Sequence, residues 1–257
     1  MELLIIGVTA LLASLLTFFS GFGLGTLLMP AFALFFEIEI AIALTGIVHL
    51  LNNLFKIALV GKKINWKIVL KFGIPGFIGA LIGAALLVNF SSSQEIINYT
   101  LFAKKLTVKP INLCISFVIF SFAVLELLPM YKNLAFNEDK LVAGGLLSGF
   151  FGGLSGHQGA LRSAFLIKLK LSKESFIATG VVIACIIDFS RLSLYFSELK
   201  NITFYDNILT LMTAVFCAFT GAYFGKKMLK KITINIVHYS VIVMLMLLSI
   251  AMALGLI

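Results

Sequence analysis

Long apolar runs alternate with short polar or glycine-rich interruptions along the whole chain. The runs fall near residues 3–19, 26–36, 40–60, 68–90, 111–129, 141–151, 159–169, 175–197, 207–225 and 235–256. A helix rises about 1.5 Å per residue and a bilayer core is about 30 Å thick, so most of these runs predict spanning helices. Segments 26–36, 141–151 and 159–169 are too short. At about eleven residues each they make roughly 16 Å of helix, half of a bilayer. The pattern therefore predicts an all-α polytopic membrane protein.

Each short segment abuts glycines. Gly21, Gly23 and Gly25 precede the first, while Gly149, Gly152, Gly153, Gly156 and Gly159 separate the other two. Glycine costs a helix about 1 kcal/mol relative to alanine, so both clusters are expected to unwind. Unwound backbone at membrane depth survives only where protein covers it or it lines a wet cavity. Two discontinuous elements, one in each half of a chain, point to a transporter binding site.

The halves also resemble each other. Thr45–Gly46 recurs as Thr179–Gly180, and under that offset Asn53 falls within one residue of Asp188 and Lys56 within one residue of Arg191. The expectation is two related repeats, 1–130 and 131–257. Each holds a glycine-broken helix pair followed by about three full spans.

Composition agrees with a lipid-embedded chain. Of 257 residues, 61% are hydrophobic and 12% charged, too little charge to cover a water-soluble surface. The net charge of +9 comes from lysines in short loops, a topogenic pattern and not the footprint of a nucleic-acid partner. Loops with Lys62, Lys63 and Lys67, with Lys168, Lys170 and Lys173, and with Lys226, Lys227, Lys230 and Lys231 are placed in the cytoplasm. Glu37, Glu39, Glu198, Asp206 and the C-terminus then lie outside. An odd number of crossings per repeat inverts the second repeat. Lys104, Lys105 and Lys109 resist this scheme and are assigned to an interfacial segment near 95–108. Met1–Phe19 lacks the basic start of a cleavable signal, so the first helix is expected to be retained. Cys114, Cys185 and Cys217 sit in apolar runs without a CxxC pair and read as small buried hydrophobes.

The stretches SGFGLGTLLMPAF and SGFFGGLSGHQGALRSAFLIKLKLSKESFIATGVVIACIIDFSRLSLYF resemble the sulfite exporter TauE/SafE family. The first family motif falls on Gly21, Gly23, Gly25 and Pro30, and the second on Gly149, Gly152, Gly153, Gly156 and Gly159. The second departs from the family pattern, reading His157, Gln158, Gly159, Ala160, Leu161, Arg162 where further glycines and a proline are usual. The resemblance implies an inner-membrane transporter of sulfur-containing anions such as sulfite or organosulfonates, with no cofactor.

Candidate chemistry gathers around the breaks. Arg162 lies in the first turn of a half-helix, where the helix dipole disfavours a cation unless an anion is near. Backbone N–H groups and a guanidinium fork suit a sulfonate or sulfite. The competing readings for Arg162 are snorkelling to the cytoplasmic face and pairing with Glu174. Gln158 and His157 either contact an anion or cap freed backbone. Asp188, deep in an apolar run, marks a proton relay or a structural pair with Arg191 one turn on. Thr45, His49, Asn52 and Lys56 form one helical stripe. His49 could titrate, Asn52 and Asn53 could touch substrate, and Lys56 is expected to snorkel. The expected substrate site is Gly21, Gly23, Gly25, Thr26, Asn52, Asn53, Gly156, His157, Gln158, Gly159 and Arg162, with Asp188, His49 and Arg191 coupling protons.

Two other classes stay open. One is a permease for another small ion, thiosulfate or a divalent metal; a metal would draw on His49, His157, Asp188 and Cys185, although Arg162 would repel it. An intramembrane enzyme would need a motif such as HExxH or GxSxG, and the sequence holds neither. Self-association into a homo-oligomer is open.

Overall fold

The computed structural model describes residues 1–16, 18, 23–91, 97–101, 104–128, 136–198, 207–227 and 234–256. Ten helices are described: α1 (Glu2–Leu16), α2 (Leu24–Ala33), α3 (Ile38–Val60), α4 (Trp66–Ser91), α5 (Pro110–Leu127), α6 (Leu141–Ser155), α7 (Gly159–Leu166), α8 (Lys173–Glu198), α9 (Ile208–Lys227) and α10 (Ile234–Ala253). Among the described residues five helices are long and apolar enough to cross a membrane: α3, α4, α5, α8 and α9. The protein is an all-α polytopic membrane protein. Leu70, Ile74, Ile78 and Ile82, four apart on α4, stand half exposed, as do Phe117, Phe189, Met212 and Phe216 on other helices. Such apolar surface is stable against lipid and not against water.

The opposite face of α4 is built for close approach. A Cβ on Gly79 would lie 2.3 Å from the Leu146 carbonyl oxygen of α6, and one on Gly149 of α6 would lie 2.0 Å from that of Gly76. Gly83, Gly145 and Gly153 are equally tight against backbone. Small residues on both sides let the two backbones touch, the usual route to helix association in lipid. This corrects part of the glycine reading. Gly149, Gly152 and Gly153 do not unwind, and α6 stays helical to Ser155, past the expected end at 151. Packing against α4 outweighs the intrinsic cost of glycine.

The packing has a paired pattern. α4 lies on α6 and α1 lies on α9, where Gly221 faces the Leu11 carbonyl. α4 also packs on α8 as α9 does on α3, while α3 meets α8 and α5 meets α10. Exchanging the first five helices for the last five maps each of these pairs onto another or onto itself.

Loop contacts sort the chain ends into two levels. At one, Thr210 donates to Glu2 at 2.8 Å and Lys109 pairs with Glu37 at 3.4 Å. An antiparallel hairpin, β1 (Ile97–Leu101) with β2 (Lys104–Val108), joins that level. Its Tyr99 hydroxyl donates to the Leu254 carbonyl at 2.6 Å, just past α10. At the other, Lys63 meets Glu174 at 3.8 Å, and Lys67 and Lys71 meet Glu138 at 3.5 and 2.8 Å. The two lysines hold the exposed Glu138 carboxyl below the usual range. Gly21, Asp206, Lys230 and Lys231 lie outside the described residues, as do the side chains of Lys62, Lys104, Lys105 and Glu198. The hairpin was not foreseen as strand. Segment 97–108 alternates weakly, and only Leu106 and Val108 are described as buried there.

Candidate functional site

The two breaks meet in the interior. α2 starts after Gly23, whose φ of 116° is left-handed, a conformation open to glycine at little cost. Pro30 lies within α2 and has no N–H to give the Thr26 carbonyl. α6 ends at Gly156, also left-handed at φ 82°, whose N–H caps the Gly152 carbonyl at 3.0 Å. Only His157 and Gln158 separate it from α7, which begins at Gly159. A Cβ placed on Gly25 would sit 3.5 Å from the Gly156 carbonyl oxygen and 3.9 Å from both His49 and Thr45. The first half-helix is therefore seated on the second break.

Asp188 is the hub of the polar core. It is fully buried on α8 and accepts from His49 Nδ1 at 2.5 Å, from Gln158 Nε2 at 2.8 Å, and from Arg191 Nε and Nη2 at 3.1 and 2.8 Å. A carboxylate only accepts, so His49 carries its proton on Nδ1. Its Nε2 then accepts from Asn53 Nδ2 at 3.3 Å. Gln158 turns its oxygen the other way and accepts from Arg162 Nη1 at 3.0 Å. One network thus links α3, the second break, α7 and α8.

Arg162 is 3% exposed and does not snorkel, and the ion pair of Glu174 is with Lys63. Lys56 corrects the sequence expectation. It is 5% exposed, with its Nζ 5.5 Å from the Phe18 ring centre, inside the protein and not at its surface. The stripe Thr45, His49, Asn52, Lys56 faces inward along its whole length. Its spacing already carried that signal, since all four of its members are polar side chains that lipid disfavours.

Among the described residues four buried side-chain polar atoms make no hydrogen bond: Thr45 Oγ1, Asn52 Nδ2, His157 Nε2 and Arg191 Nη1. Arg191 Nη1 lies 3.3 Å from where a Cβ on Gly156 would be, and the guanidinium carbon lies 3.2 Å from that of Gly46. Thr45 and Arg191 therefore flank the place where the breaks touch. The oxygen of the Asn52 amide accepts from Ser14 of α1 at 3.2 Å, a residue that sequence reasoning missed. A single hydroxyl in an apolar helix gives no periodic signal. His157 Nδ1 donates to the Ser155 carbonyl at 3.0 Å and its ring stacks on Phe122 at 5.9 Å, so it does cap freed backbone. Thr26 and Gly159 are half-buried at the starts of the two half-helices, and Cys185 is also half-buried.

Broken helices that meet at depth around a charged, buried network define a polytopic membrane transporter. Residues 6–252 match the family described as Sulfite exporter TauE/SafE, and the chain belongs to that family. Neither a curated protein nor a solved structure matches it significantly. Membership in a transporter family accords with a protein that is not an enzyme.

Proposed function

We propose that the protein is a secondary transporter that exports a sulfur-containing anion, such as sulfite or an organosulfonate, across the cytoplasmic membrane. The anion is held where the start of α2 meets the break between α6 and α7. One observation carries the reading. Buried polar groups that make no hydrogen bond, Thr45 Oγ1 and Arg191 Nη1, lie where the start of α2 meets the second break, and neither half-helix start has a side-chain cap. Exposed N–H groups and the positive end of a helix dipole favour an anion. An unpaired buried donor is costly until a ligand satisfies it.

Arg162 adds a fixed charge and orients Gln158 toward Asp188. Asp188, His49 and Arg191 form the seat of proton coupling, since a proton on the carboxylate would release Arg191 and Gln158 to the anion. The lysine-rich level is the cytoplasmic one. The exchangeable helix pairs support two inverted repeats, divided between α5 and α6, with the anion on the axis between them. The test is sulfite flux in proteoliposomes. Arg162→Gln is expected to abolish flux while eluting and melting like a folded protein. Normal flux in that variant removes the assignment.

A further inference from the structure

The Asn52 amide is turned toward α1, where Ser14 donates to its oxygen at 3.2 Å, and its Nδ2 donates to nothing. One turn on along α3, Lys56 is turned the same way. Its Nζ lies 5.5 Å from the ring centre of Phe18, which follows Ser14 by four residues. Ser14 and Asn52 are fully buried, and Lys56 and Phe18 nearly so. Residues four apart are neighbours on a helix face. A spare donor and an ammonium group thus stand side by side against the end of α1.

Lys56 takes part in none of the ion pairs among the described residues. Arg191 shows what is missing. Lys56 stands as far from Ile38, where α3 starts, as Arg191 stands from Lys173, where α8 starts. Three residues before Arg191 is Asp188, which accepts from two of its nitrogens. Three residues before Lys56 is Asn53, an uncharged amide that bonds to His49. α3 and α8 start at opposite levels and meet at His49 and Asp188. The two cations therefore lie on opposite sides of that contact, with Lys56 on the side of Lys63. A buried charge is costly unless something opposite comes to it.

We propose that Asn52 and Lys56 form a second subsite for the transported oxyanion, between α1 and α3 on the lysine-rich side of the His49–Asp188 contact. This rests on the anion reading above and adds to it a stop between the lysine-rich face and the breaks. Lys56 supplies the charge that Asp188 supplies to Arg191 in reverse, and Asn52 Nδ2 supplies a directed hydrogen bond. Ser14 fixes the amide by its oxygen, and the Phe18 ring covers the ammonium group from the apolar side.

The experiment uses the full chain purified in detergent, with sulfite as the probe at constant ionic strength. Dissociation constants come from ligand-induced thermal shifts, since a ligand stabilises the state it binds. Lys56→Gln is expected to weaken sulfite binding by about tenfold or more, the scale of one hydrogen bond to a charged group, and Lys56→Arg to keep most of it. Without sulfite, Lys56→Gln is expected to melt no lower than the wild type, because the charge it removes is unpaired. Asn52→Asp places a carboxylate one turn before the lysine, the favourable order on a helix. It is expected to occupy the ammonium group from within, so that the ligand-free protein melts higher and sulfite binding is lost. Should Lys56→Gln fail to fold, Lys56→Met, whose side chain suits the contact with Phe18, carries the same comparison.

A neutral variant that binds sulfite as the wild type does, or an arginine variant that loses as much as glutamine, overturns this inference alone. So does a folded neutral variant that melts below the wild type, or a neutral substitution that yields no folded protein in either form. An Asn52→Asp protein that keeps its sulfite binding, or melts below the wild type, counts against it equally. A wild type that sulfite does not stabilise overturns the anion reading with it.

Discussion

Two seams cross the middle of the molecule, and they are made of opposite materials. Between α4 and α6 there is almost nothing but backbone, because Gly76, Gly79 and Gly83 face Gly145, Gly149 and Gly153. Between α3 and α8 stand His49, Asp188 and Arg191, all buried and all polar. The first seam derives its strength from shape and tolerates no added atom. The second derives it from matched charge, and can be rearranged when a proton or an anion changes the match. Rigid framework and responsive centre are thus separate regions, joined through α8, which also packs on α4.

The contrast can be broken most severely at the glycine seam. Gly149→Leu would drive its side chain into the Gly76 backbone, 2.0 Å from the Cβ position. Such overpacking costs about 3 kcal/mol or more, and the variant is expected to yield no monodisperse protein on size exclusion. Next comes the charged seam. Asp188→Asn leaves Arg191 buried without its counter-charge, a loss of about 3–5 kcal/mol. Arg191→Met added to it should restore part of the melting temperature but no flux. If the single and double variants melt alike, the pairing is not what holds the seam.

At the junction of the seams, Gly156→Ala forces a side chain into a left-handed residue at φ 82° and is expected to cost about 1–2 kcal/mol. Gly156→Asn should cost less, and equal thermal shifts would count against conformational strain as the cause. The smallest effect lies at the surface. Because Lys67 and Lys71 lower the Glu138 pKa, their contribution is present above the unfolded value of 4.5 and is lost as pH falls through the folded value. The wild type should therefore melt slightly above Glu138→Gln at pH 7, with the gap closing near pH 3.

Most of the fold was legible because apolar run length reports directly on helices in lipid. The ten runs correspond to the ten α-helices among the described residues, and the half-length segments 26–36 and 159–169 became α2 and α7. What misled was glycine, whose composition does not say whether it opens a helix or lets another approach. Gly156 does the first and Gly149 the second, and only the partner helix distinguishes them. The site was legible in its members and not in its pairings. Asp188 stood out as an intramembrane carboxylate, but that His49 reaches it from the other half depends on α3 meeting α8. Lys56 was misplaced because position near a helix end was weighed above the stripe it shares with Thr45, His49 and Asn52.

The clasp of α4 on α6 has a consequence for how the chain must be made. Its two partners come from opposite sides of the midpoint, and so do α1 and α9. Cut between α5 and α6, neither fragment would own the surface that covers its own grooves, and each would display bare peptide groups to lipid. The smallest thing that can assemble is both fragments together, so separate expression should give insoluble pieces and co-expression a whole.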